Sequence, residues 1–264
     1  MFQLVPDAPL IVAANRDERL DRPAVSMTVL RDRAPRILGG RDELAGGTWL
    51  AVNEHGLAAG LTNQPSADGR DPAKRSRGEL PLAFAVHESA AAAVPAVRGH
   101  VDPAAYNPCW MLVGDRESLY SIGVSGAADI EVEQLGTGLH VLENAPLHPE
   151  SAKAAFVRTL VADALAARHA EDAVATIAAL ETVLADHRPA VPEPRTDATG
   201  RVWPASLSAA CVHADGYGTR SGMIVSVPGG AADDGVPTVL VADGPPCEVP
   251  MQDKTGLWTA TVRR

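Results

Sequence analysis

The chain has 264 residues, a formal net charge of −10, 46% hydrophobic and 21% charged residues, which suffices for a substantial core in a globular protein. The acidic balance excludes a nucleic-acid surface built on clustered Lys and Arg and argues against residence on an anionic membrane. No apolar run approaches the roughly 20 residues that span a bilayer.

The start, MFQLVPDAPL, lacks the basic opening and long apolar stretch of a secretory signal, so a cytoplasmic protein is expected. Cys109, Cys211 and Cys247 are odd in number, widely spread and without CxxC spacing, so neither a disulfide framework nor a zinc site is expected.

In chain order, LIVAA (10–14) reads as a buried strand and runs directly into NRDERLDRP, which is dense in charge. TWLAV (48–52) and GLAAGLTN (56–63) read as two strands around an NEHG turn. Residues 76–97 read as helical, broken near Ser89 and interrupted by Pro95; CWMLVGDRESLYSIGV (109–124) is a hairpin with Asp115–Ser118 as its loop. VLEN (141–144) reads as the end of a strand. Residues 150–188 carry the clearest helical periodicity: Phe156, Leu160, Val161, Ala164 and Leu165 share one face, and Ala173, Ile177, Leu180 and Leu184 form a second stripe. Pro189 stops it, and 189–204 is a Pro-rich loop. AACVHA (209–214), GMIVSV (222–227), TVLVAD (238–243) and GLWTATVRR (256–264) read as strands, with 228–237 as a hairpin loop. The order suits one layered α+β domain, 1–264, with antiparallel sheets.

Several common signatures are missing. The glycines of GGRDELAGG (39–47) have neither dinucleotide-binding nor Walker spacing, no Ser-nucleophile elbow occurs, and the eight His show no metal-ligand spacing. What stands out instead is a set of polar strings at strand ends: Asn15-Arg16-Asp17-Glu18, Ala45–Leu50, Leu61–Asn63, Ser76–Leu80, the stretch ending in Asn144, and Tyr217–Ser221.

Together these resemble the NRDE family, also called the transport and Golgi organisation 2 family. Ala14–Glu18 with Arg22-Pro23 carry its signature, followed by AGGTWL (45–50), LTN (61–63), SRGEL (76–80), Tyr106-Asn107, Gly114-Asp115 and YGTRS (217–221). The resemblance runs nearly end to end. It implies a fold like that of the N-terminal nucleophile hydrolases, an αββα sandwich of two mostly antiparallel sheets flanked by helices. In the related cysteine acylases a Cys after the initiator Met attacks an amide, its own amine serving as base.

By that resemblance Arg16 and Asp17 hold the N-terminus, Asn144 is the oxyanion-hole candidate, and Arg220 contacts an anion at the rim. Position 2, however, is Phe2, which offers no nucleophile, so no catalytic residue is assigned to the chain as it stands. Two explanations stay open: the natural start lies upstream, or this member has lost the nucleophile and only binds. Cys109 and Cys211 are read as small core residues.

The family is associated with intracellular haem handling and, in eukaryotes, with lipid or acyl-CoA metabolism. The resemblance therefore implies a protein that binds or traffics haem or a related apolar carboxylated ligand, the alternative being a hydrolase of non-peptide C–N bonds. No cofactor is required, haem being a candidate ligand; no nucleic-acid partner, metal or membrane insertion is expected. Asn15, Arg16, Asp17, Asn63, Asn144 and Arg220 are the expected ligand-binding residues, converging on one cleft. In it Arg16 faces an acidic ligand group while largely solvated, Asp17 holds Arg16 or a backbone donor, and Glu18 faces solvent.

Overall fold

The computed structural model describes residues 1–66, 69–126, 129–196, 202–230 and 235–261. A long strand, β1 (Leu10–Arg19), is followed by β2 (Ala24–Arg31), β3 (Ile37–Asp42), β4 (Leu50–Asn53) and β5 (Ala58–Asn63). Helices α1 (Glu79–Ala85) and α2 (Ala90–His100) precede β6 (Cys109–Gly114), β7 (Leu119–Val124) and β8 (Glu131–Leu135). Strands β2 to β8 form a seven-stranded sheet in sequence order, each antiparallel to the next.

Helices α3 (Ala152–Arg168) and α4 (Ala173–Leu184) follow, started by Ser151 and Asp172, whose side chains accept from the backbone N–H groups of Ala154 and Ala175. The short strands β9 (Arg195–Thr196) and β10 (Val202–Trp203) pair with each other. The chain then returns to β1: β11 (His213–Ala214), β12 (Tyr217–Val227), β13 (Thr238–Ala242) and β14 (Gln252–Asp253) build the second sheet in the order β1-β12-β13-β14, with β11 also on β12.

Three apolar clusters mark the boundaries between layers. Leu80, Phe84, Val94 and Val97 of α1 and α2 pack on Ala59, Met111, Val113 and Ile122 of the seven-stranded sheet. Its other face, through Leu38, Val52 and Leu119, meets Leu10, Met223, Val225 and Val239 of the second sheet. Leu160, Val161, Leu180, Val183 and Leu184 of α3 and α4 cover the far side of that sheet at Ile11 and Ile224. The layers are therefore helix, sheet, sheet, helix, as the αββα expectation has it. Two-residue alternation sends Met223 and Val225 between the sheets and Ile224 under the helices.

Some elements differ from the sequence reading, each for a local reason. Helix α2 runs through Pro95, because Ala93, Val94 and Val97 are buried in the first cluster and hold the helix across the missing N–H. Of 209–214 only His213–Ala214 is strand: the Cys211 N–H donates to Asp186 O and the Val212 N–H to Thr219 Oγ1, so the ladder cannot extend. Asn144 does not end a strand; it sits in an irregular segment whose Glu143 carbonyl is taken by the Thr62 hydroxyl.

In the segment read as a final strand, Thr255–Trp258 is a 3-10 turn anchored by Trp258 Nε1 donating to Pro237 O at 2.7 Å, and residues 262–264 lie outside the described residues. Residues 231–234 of the β12–β13 connection also lie outside them. The 189–204 stretch contains the β9–β10 pair. Strands β2, β3 and β8 went unread: β2 has no fully buried face, β3 carries Gly39-Gly40, and β8 is largely polar.

Ile224 is fully buried between β12 and the α3–α4 pair. Ile224→Ala should cost about 2–5 kcal/mol, read as a lower urea midpoint with an unchanged slope; a change under about 0.5 kcal/mol would contradict this helix–sheet packing.

Candidate ligand-binding site

The Asn-Arg-Asp-Glu string lies inside β1 rather than beyond it, paired with β12 from Asn15↔Gly222 to Glu18↔Gly218, with a register shift between Arg16 and Asp17. Alternation sends its side chains to opposite faces. Asn15 Nδ2 donates to the carbonyls of Leu184 and Ala210, both at 2.8 Å, tying β1 to the end of α4. Asp17 Oδ1 accepts from the Thr219 hydroxyl at 2.6 Å, and Oδ2 lies 3.8 Å from Lys153 Nζ of α3. Desolvation raises the Asp17 pKa, against Lys153 and the Thr219 hydrogen bond. These two residues fasten the helix layer.

Arg16 and Glu18 face the other way, into the mouth between the sheets. The Arg16 side chain is 7% exposed, its guanidinium carbon 4.6 Å from the Trp49 ring centroid and its Nη2 3.9 Å from Glu18. Desolvation lowers its pKa, Glu18 and Asp42 oppose this, and Arg22 and Arg220 add to it. It remains a cation, since a guanidinium keeps its proton in proteins. Among the described residues its buried Nη1 has no hydrogen-bond partner. Arg16 lines a cavity of about 210 Å³ together with Ser26, Trp49, Arg220, Ser221 and Asp243. At the rim the Ser26 hydroxyl donates to Asp243, and Arg220 Nη1 donates to the Leu20 carbonyl.

The glycine strings hold Trp49 in place. A Cβ on Gly40 would lie 2.0 Å from the Trp49 ring, so the indole needs glycine there. Gly47, at φ +67 to +81 with Gly46, approaches Gly78 so closely that a Cβ would fall 2.4 Å from the Gly78 carbonyl carbon, and the Thr48 N–H donates to Gly78 O at 2.9 Å. Asp42 accepts from the N–H groups of Leu44 and Ala45 and pairs with Arg22 at 2.7 Å, and Arg22 lies 3.5 Å from Glu18. The AGGTW, SRG and Arg22-Pro23 strings thus serve one purpose: to fix the walls around Arg16.

Of the expected site residues, Arg16 and Arg220 share this cavity. Asn15 and Asp17 stand behind it on the opposite face of β1. Asn63 and Asn144 are exposed and outside the cavity's lining, at the place where Thr62 meets Glu143. Three roles need correction. Arg16 is buried, not solvated, because Trp49 covers it. Asp17 does not hold Arg16, since strand alternation points it at Thr219 and Lys153. Glu18 is only 26% exposed, held by Arg22 and Arg16.

The Met1 amine is likewise away from Arg16 and Asp17, buried and donating to Ile11 O at 2.7 Å, with desolvation lowering its pKa to about 5. Phe2 is a core residue between the sheets. Cys109 is buried, and desolvation pushes its thiol up to about 12. Other family strings are structural: Asp115 accepts from the first N–H of α2, and Asn107 pairs with the backbone of Asp71.

Trp49, Ser26 and Asp243 were missed as site residues. Only the Gly-Gly pairs ahead of the Trp hinted at the first; Ser26 comes from β2 and Asp243 from just past the end of β13, which the sequence does not bring together. The fold also gathers His187, Cys211, His213 and Cys247, donors from three separate segments that no short spacing reveals.

Two antiparallel sheets between helix pairs, with a cationic pocket at their mouth floored by the Asn-Arg-Asp-Glu strand, define the class of protein. The family model described as Transport and Golgi organisation 2 matches residues 1–230. The human Transport and Golgi organization protein 2 homolog is 30% identical over 235 residues, 83% of this chain and 82% of that protein. Its Bos taurus counterpart is 28% identical over 242 residues, with coverage of 83% and 82%. The chain belongs to the Transport and Golgi organisation 2 family.

Among solved structures, penicillin V acylase from Agrobacterium tumefaciens aligns over 88% of this chain and 78% of its own at TM-score 0.48 and 11% identity. A variant of conjugated bile acid hydrolase from Clostridium perfringens aligns over 88% and 85% at TM-score 0.47 and 11% identity.

Two outcomes follow from this geometry. Burial raises the Asp17 pKa in the folded state, so the folded chain binds that proton more tightly than the unfolded one. Stability contributed at this position therefore grows as pH falls from 7 through the raised pKa toward about 4. Asp17→Asn should erase that trend in urea unfolding at both pH values, and an equal wild-type-to-variant difference at pH 4 and pH 7 would contradict it. Gly40→Ala should displace Trp49 from Arg16. Tryptophan emission compared with that of a Trp49→Phe variant should then show Trp49 in a more polar setting; an unchanged Trp49 contribution would contradict the packing.

Proposed function

We propose that this chain binds an apolar ligand by its carboxylate, a ligand of the haem or acyl type, with Arg16 and Arg220 taking the acid. The observation that carries the proposal is Arg16, whose side chain lines the cavity and whose buried Nη1 is without a partner among the described residues. A desolvated donor on a cation is costly to leave unpaired, and a carboxylate is the acceptor that suits a guanidinium in charge and shape. Arg220, on the same wall, adds a second positive charge.

The cavity, about 210 Å³, is smaller than the roughly 300–1,000 Å³ of sites that enclose a whole ligand. It seats an acidic group and leaves the apolar body along Leu20, Ala24 and Trp49 at its edge. A site that grips one end of its ligand suits a carrier that loads and releases.

The test is titration with haemin, followed by absorbance, and with palmitoyl-CoA and palmitate, followed by calorimetry. Arg16→Met keeps an apolar stem against Trp49 while removing the charge; Arg220→Ala removes the second cation. Each should weaken at least one ligand about tenfold or more, the value of a charge-assisted hydrogen bond, and haemin dimethyl ester should bind wild type as weakly as haemin binds the variants. Unchanged affinities in both variants, or equal binding of acid and ester, would overturn the proposal.

A further inference from the structure

We propose that His187, Cys211, His213 and Cys247 form a four-ligand site for a divalent transition-metal ion, zinc by its donor set. Cys211 Sγ lies 3.6 Å from Cys247 Sγ, and His213 Nε2 lies 3.7 Å from the first sulfur and 3.3 Å from the second. Tetrahedral bonds of about 2.3 Å to sulfur and about 2.0–2.1 Å to nitrogen require about 3.7 Å between sulfurs and about 3.5 Å between sulfur and nitrogen. The three measured edges match that tetrahedron. The His187 ring, whose centroid is 5.0 Å from that of His213, is tilted 51° to it, and the donor atoms of all four residues lie within 4.8 Å of one another.

The donors come from three segments, two of them fixed by backbone hydrogen bonds. His187 follows the end of α4, Cys211 and His213 flank Val212 ahead of the β11–β12 turn, and Cys247 sits in the turn between β13 and β14. The Cys211 N–H donates to Asp186 O at 2.8 Å, which sets Cys211 beside His187. The Val212 N–H donates to Thr219 Oγ1 and the Thr219 N–H to Val212 O, both at 2.9 Å, which fixes the two residues on either side of Val212. The Thr219 hydroxyl in turn donates to Asp17, so the family's signature strand supports the cluster from behind. Such an arrangement lowers the ordering cost of binding, as supporting hydrogen bonds do around metal ligands.

A two-thiolate, two-imidazole set with tetrahedral edges selects zinc over the oxygen-seeking cations. The two cysteines are free, and their sulfurs stand well beyond the about 2.05 Å of a disulfide. Four protein ligands leave no open position, the pattern of a structural site. Its location gives it a purpose: the ion would clamp the end of α4, the β11–β12 turn and the 245–250 turn together. Pro245 of that last turn lines the Arg16 cavity, so the clamp would fix a wall of the ligand site.

The experiment uses the full chain, reduced and stripped of metal, titrated with Co(II) and then Zn(II). One equivalent of Co(II) should give the thiolate charge-transfer band and the intense visible bands of tetrahedral cobalt, and zinc should displace it. Cys211→Ser and Cys247→Ser should each weaken the thiolate band to about half or less per cobalt, and the double variant should abolish it. In case either fails to fold, His187→Asn and His213→Asn alter exposed residues, and each should weaken zinc at least about tenfold and reduce the rise in Tm that zinc gives wild type. The proposal is overturned if reduced wild type takes up no stoichiometric metal, if the band is undiminished in the folded single-cysteine variants or survives in the double variant, if zinc raises the Tm of the histidine variants as much as that of wild type, or if Cys211 and Cys247 form a disulfide and the re-reduced chain still refuses metal.

Discussion

A β-strand offers successive side chains to opposite faces, and in this protein that constraint divides one charged string between two tasks. Asn15 and Asp17 look outward from the second sheet and anchor α3, α4 and the segment ahead of β11. Arg16 and Glu18 look inward, toward the mouth between the sheets. A one-residue slip of β1 on β12 would exchange the faces, leaving a guanidinium under the helices and a carboxylate against Trp49. The register set from Leu10↔Val227 onward prevents this, because it also keeps Leu10 between the sheets and Ile11 under the helices.

Once Arg16 is committed to the inner face, much of the surrounding sequence follows from covering and neutralising it. Trp49 supplies a π-face over the cation. Gly40 makes room for the indole, and the Gly47–Gly78 approach fixes the loop that carries it. Glu18, Arg22 and Asp42 form a chain of charges that holds the same corner. Burial strengthens whatever Arg16 contacts, since less water competes for its donors. Nη1 is left without a hydrogen-bond partner among the described residues, on a side chain that lines the cavity.

The layered fold was legible because its signals are local: short apolar runs in LIVAA and GMIVSV, period 3.6 across 150–188, and turn chemistry at Asn53–Gly56. The family strings were legible too, but their meaning was not. Asn15, an expected site residue, and Asn107 and Asp115 of the family strings prove to satisfy backbone groups far away in the chain. Strands β2, β3 and β8 escaped because half-exposed edges and Gly39-Gly40 leave no alternation to read. The burial of Arg16 could not be foreseen either, as it depends on Trp49, thirty-three positions away, folding over it. The cysteine–histidine cluster rests on contacts up to sixty residues apart, between α4, β11 and the 245–250 turn, which no spacing rule spans.

What Arg16 and Arg220 hold between them decides the role of the cavity. The most direct measurement is a crystal structure of the chain with a long-chain carboxylate such as palmitate. The carboxylate should lie between Arg16 and Arg220, one oxygen about 2.7–2.9 Å from Arg16 Nη1, with the apolar tail leaving past Trp49. A carboxylate bound elsewhere at saturating ligand, with none between Arg16 and Arg220, would contradict it.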